Sequence, residues 1–126
     1  MEQKFKRNKE LEDRLTRFSA DAIDMCESLK TSFSGRTLAH QLIRSSSSAA
    51  LNYGETQGAE SRRDFIHKLS VVLKELRESL VNIKIINWSK TINIDQRQIE
   101  FLQDECNQLV AIFVSSIVTA KKKETR

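Results

Sequence analysis

The chain has 126 residues, a mass of 14.5 kDa and a formal net charge of +4. That length supports one hydrophobic core and excludes two ordinary domains, so one domain over residues 1–126 is expected. With 39% hydrophobic and 30% charged residues, no Pro and only three Gly, the composition excludes wholesale disorder and disfavours sheet and tight-turn architectures.

From Leu11 the apolar residues Leu11, Leu15, Phe18, Ala22, Met25 and Leu29 recur at steps of four and three, which predicts a first helix. It is expected to stop near "KTSFSGR", where Gly35 and short polar side chains favour a turn. The next stretch, "RSSSSAALNYGETQG", resembles a linker by composition. Yet Leu38, Leu42, Ser46, Ala49 and Tyr53 keep a helical period through it, which places the serines inside a second helix, with a polar hinge as the alternative. Serine is a mediocre helix former, so its use there fits a close approach between helices and hydroxyls bonded back to carbonyls one turn earlier. The break is expected at "GETQGAES".

A third helix is predicted to open at Ser61, with Asp64 in its first turn, and to carry Phe65, Leu69, Val72, Leu76, Leu80 and Ile83 as far as about Trp88. The fourth starts with Asp95 as cap, Gln98 reaching back and Ile94 stapled on Ile99; its stripe is Ile99, Leu102, Cys106, Leu109, Phe113 and Ile117. Four helices with short connections predict an all-α, up-down-up-down antiparallel four-helix bundle.

The apolar residues of the last two helices spread wider than one core requires. Surplus of that kind predicts burial against a partner, so a homo-oligomer is expected, with Leu80, Ile83, Trp88, Val110, Val114 and Val118 at its interface.

Residues 1–10 carry four basic and two acidic side chains, a net +2; residues 120–126 carry four and one, a net +3; subtracting both from +4 leaves −1 for the body. The basicity therefore sits in short terminal tails, about 1–8 and 121–126. In an up-down-up-down bundle those tails share one end with the second connection. Lys4, Lys6, Arg7, Lys9, Arg62, Arg63, Lys121, Lys122 and Lys123 are then candidate nucleic-acid contacts. Phe5 is the only aromatic close to the basic tails in sequence, so no stacking platform is expected. The rival reading is a protein-interaction scaffold whose basic tails are solubilising.

Motifs for chemistry are missing. Asp64 and His67 form one Asp-x-x-His step, whereas a bundle di-metal site needs two Glu-x-x-His steps and further carboxylates. No phosphate loop, dinucleotide glycine pattern or nucleophile elbow is present. Cys26 and Cys106 match no metal or redox spacing, and the charged N-terminus has no apolar run. A non-enzymatic cytoplasmic protein without metal, cofactor, small-molecule substrate or membrane contact is expected.

The segment Arg44–Ser79, with small residues at 45–50, then Asn52, Glu55, Ser61, the Arg62–Arg63 pair and Phe65, resembles the 23S ribosomal RNA intervening-sequence protein family, a family of four-helix bundle proteins. The resemblance implies a four-helix bundle assembled as a ring-like homo-oligomer, a pentamer, with RNA as a possible partner. It also implies partly buried polar positions at Asn52 and Glu55, expected to pair with Arg44 on the same helix or with Arg77 across the bundle, next to Glu78.

Overall fold

The computed structural model describes residues 2–124. The last two residues of the expected C-terminal basic tail, Thr125 and Arg126, lie outside them. Among the described residues there are four α-helices: α1 (Glu2–Cys26), α2 (Phe33–Glu55), α3 (Arg62–Trp88) and α4 (Gln96–Glu124). Neither expected tail is a separate element, because residues 2–8 are the first turns of α1 and residues 121–123 belong to the last turns of α4. Three lysines at the end of α4 suit the partial negative charge of a helix C-terminus.

Each helix packs on two neighbours: α1 on α2 and α4, and α3 on α2 and α4. One cluster of buried side chains draws on all four, including Leu15, Phe18, Leu42, Leu76, Leu102 and Phe113. Arg14 ties α1 to α4 from outside that core, donating through Nε and Nη2 to the two carboxylate oxygens of Glu105 at 2.9 and 2.7 Å.

The connections follow from local bonding. After Cys26 the chain tightens into a turn of 3-10 helix, Glu27–Leu29, and Ser32 then caps α2 by accepting from Gly35 N at 2.9 Å. Gly35 is thus not the stop of the first helix but a buried residue in the first turn of the second. A Cβ there would lie 2.6 Å from the carbonyl oxygen of Leu29 and against Ser32 Oγ, so the cap closes only over glycine. Likewise α2 runs through Gly54 to Glu55, one residue beyond the start of the expected break, before a 3-10 turn over Thr56–Gly58.

Ser61 caps α3 by accepting from Asp64 N at 3.0 Å, and Asp64 Oδ2 accepts from Glu60 N at 3.1 Å. Asp95 caps α4, its Oδ1 accepting from Arg97 N and Gln98 N at 2.9 and 3.1 Å. The return bond expected from Gln98 is not made among the described residues.

The serine run is helical and packed. Ser45 and Ser46 are fully buried and serve different neighbours. Ser45 Oγ lies 2.7 Å from Ser79 Oγ of α3, and Ser46 Oγ lies 3.2 Å from Ser19 Oγ of α1. Each also donates back to a carbonyl three residues earlier, Ser45 to Leu42 and Ser46 to Ile43. Hydroxyls that satisfy one another allow two helix backbones to approach without orphaned polar groups.

Candidate functional site

At the end of the molecule where α1 begins and α4 ends, a cavity of about 460 Å³ opens between these helices and reaches α2 and α3. Its cationic lining is Lys4 and Arg7 from α1, Arg62 from α3 and Lys123 from α4. All four side chains are exposed, and among the described residues none has a carboxylate within ion-pair distance. The inner wall is apolar, with Leu11, Leu69 and Ile112 beside the rings of Phe65, Tyr53 and Phe113. Tyr53 and Phe113 meet edge to face, centroids 5.5 Å apart at 85°. Burial, with a smaller contribution from Glu12, pushes the Tyr53 phenol above its ordinary value, so its hydroxyl is a neutral donor whose partner, Asn8 Oδ1, is 3.5 Å away.

Four of the nine basic candidates thus converge. The others do not. Lys6 borders a shallow hollow on the outside of α1, and Lys9 pairs with Asp13 at 3.4 Å. Arg63 and Lys122 are exposed away from the cavity lining. Lys121 lines a separate groove with Arg44, Lys74 and Arg77, because it lies on the α3 side of its helix while Lys123 turns toward α1. The absence of a stacking platform, expected from the sequence, is corrected: Phe65 is separated from Lys4 and Lys123 by some sixty residues of chain but shares their cavity.

Of the polar positions, Asn52 is partly buried as expected, while Glu55 and the pairing need correction. Arg44 pairs with α3, reaching Glu75 at 3.3 Å and Glu78 at 2.7 Å. Glu75, not Glu55, is the buried carboxylate, at 7% exposure. Asn52 donates to Ser48 O at 2.8 Å and to Ser48 Oγ at 3.0 Å, a bond within its own helix. Glu55 and Arg77 are exposed, with no ion pair among the described residues. The physical reason is the helical period: Glu75 shares the buried stripe with Leu76, Ser79 and Ile83, while Glu55 falls two residues past Tyr53, on the outside of the last turn of α2. Arg44→Ala is therefore expected to lower stability, because it leaves the buried Glu75 carboxylate without its partner, though by less than for a fully buried pair because Arg44 itself is exposed, while Glu55→Gln leaves stability nearly unchanged. Urea unfolding of the two variants measures both.

Of the expected interface residues, Ile83 is fully buried within the chain, and Leu80 and Val110 are partly buried against its core. Trp88, Val114 and Val118 are exposed, at 73%, 37% and 48%. The outer face of α3 instead presents Val81, Ile85 and Trp88, at helical steps of four and three.

Among the described residues no other site gathers reactive groups. No cluster of three metal-ligating side chains exists among the described residues, and His40 and His67 are exposed. Cys26 and Cys106 are free and buried, their Sγ atoms donating to Ala39 O and Leu76 O. Burial, helped by Glu27 and Glu105 respectively, pushes their thiols up to about 11 and about 12, which keeps both protonated at neutral pH. Among the described residues no helix is long and apolar enough to cross a membrane.

The crystal structure of a protein with unknown function from the S23 ribosomal protein family of Bacteroides thetaiotaomicron is similar in fold, with a TM-score of 0.75 at 24% identity over 85% of this chain and 97% of that one. No curated protein matches. The family model described as 23S rRNA-intervening sequence protein matches residues 8–115, across all four helices and the apolar wall of the basic cavity but, of its cations, Arg62 alone, and the chain belongs to that family.

Proposed function

We propose that this protein is a non-enzymatic, up-down-up-down helical bundle that self-associates and binds RNA through the end where Lys4, Arg7, Arg62 and Lys123 meet. The observation that carries the reading is the convergence of four cations from three helices without paired carboxylates among the described residues. Unpaired cations held close together raise the local positive potential and favour a polyanion. The family description names an intervening sequence of 23S ribosomal RNA, which makes ribosomal RNA the natural polyanion to test. The bundle topology is supported by short connections and by the cycle of adjacent helices, α1, α2, α3 and α4. Self-association, into a ring-like assembly such as a pentamer, is supported by the exposed Val81, Ile85 and Trp88 on α3 and Val114 and Val118 on α4.

Filter binding of ribosomal RNA fragments across a salt series tests the reading, on protein whose assembled mass is measured by light scattering. Four phosphate contacts to single-stranded RNA predict a loss of affinity of about 50-fold per engaged chain between 50 and 200 mM salt. Arg7→Gln combined with Arg62→Gln is expected to halve the slope of log affinity against log salt. Lack of binding at low salt would leave a protein-interaction scaffold, and a monomeric mass at micromolar concentration would remove self-association.

A further inference from the structure

The cavity at the basic end is more than a charged surface. Its mouth carries Lys4, Arg7, Arg62 and Lys123, and its wall carries Phe65, half-buried, and the hydroxyl of Tyr53. A duplex keeps its bases stacked inside and offers only phosphates and sugar edges to such a mouth. An unpaired nucleotide offers both a phosphate for the cations and a planar base for the apolar wall. A volume of about 460 Å³ falls within the usual range for small-ligand sites and admits one nucleotide rather than a helix. An acyl carboxylate would fill the apolar part but would leave most of the four cations without an anion.

Resting on the RNA-binding reading above, we infer that the crevice between α1 and α4 takes a single unpaired nucleotide, at a strand end or a bulge, with its base against Phe65 and its phosphate among Arg7, Arg62, Lys4 and Lys123. Phe65 supplies the stacking contact. Tyr53 lies deeper, and its hydroxyl, held only at 3.5 Å by Asn8, is free to turn toward a base edge. The protein then distinguishes unpaired from paired RNA by shape, independently of base identity.

The probe is a 5′-phosphorylated single strand of about ten ribonucleotides carrying 2-aminopurine at its terminal position, compared with a closed RNA hairpin whose loop is replaced by a non-nucleotide linker. With the full-length protein at low salt, terminal 2-aminopurine emission is expected to fall about two-fold or more on binding, as a base stacks on a ring, and the strand is expected to bind at least about 10-fold more tightly than the hairpin. Phe65→Leu, which keeps the side chain's packing, is expected to abolish most of the quenching and weaken single-strand binding about 10-fold while leaving hairpin binding and the thermal midpoint nearly unchanged. Equal affinity for strand and hairpin, or a strand that binds with unchanged emission, would overturn the nucleotide site and leave RNA binding by the basic end intact. Failure to bind either RNA would overturn both.

Discussion

Replacing Phe113 by alanine is expected to lower the unfolding free energy by about 3–5 kcal/mol, among the largest losses from single truncations in this core. Phe113 is fully buried, and its ring meets that of Tyr53 edge to face. These two residues belong to α4 and α2, helices that are not adjacent. Their contact therefore crosses the bundle axis near the basic end, where both rings form the inner wall of the cavity, and alanine would leave a void bordered by elements already fixed by their own neighbours. Such a site collapses poorly, which puts the cost toward the upper part of the range. Chemical denaturation should show the midpoint falling with an unchanged slope, and the thermal midpoint dropping by roughly 12–20 °C. Phe113→Leu, which fills most of the volume, should cost less than about 1.5 kcal/mol. Equal losses for the two variants would show that the ring contact, rather than the void, sets the cost.

The second large effect is expected where the chain has no room. Ser45→Leu should destabilise by about 3 kcal/mol, because a branched side chain would be forced between α2 and α3 where two hydroxyl oxygens are 2.7 Å apart. Removing hydroxyls should be mild by comparison. Ser79 also donates to Glu75 O at 3.0 Å, so Ser45→Ala leaves it satisfied, and each single alanine variant should cost about 0.5–1 kcal/mol. The double variant should cost less than the sum of the singles, since the one Ser45–Ser79 bond is lost in each single and only once in the double. A double-mutant cycle in urea measures this coupling. If Ser45→Leu were as stable as the parent, the close approach of α2 and α3 would not be a property of the folded protein.

The RNA reading and these stability effects meet at one place. Phe113 and Phe65 both line the basic cavity, but only Phe65 is accessible from the mouth. A stability defect at Phe113 and a binding defect at Phe65 are thus separable, and the lack of such separation would show the cavity to be simply the frayed end of the core.

The sequence by itself determined the helices. Apolar steps of three and four around Leu15, Leu42, Leu69 and Leu102, and caps at Ser61 and Asp95, depend on interactions within one turn, which a linear pattern displays directly. Even the serine run was legible, since its period outlasts its composition. What only the tertiary structure decided was which side chains meet across helices: that Arg44 finds Glu75 and not Glu55, that Ile83 turns inward while Val81 and Ile85 face out, and that Phe65 joins Lys4 and Lys123. A rotation of one residue, about 100°, exchanges a buried position for an exposed one. The rotation of each helix is fixed by the packing of all four, so no single stretch of sequence contains it.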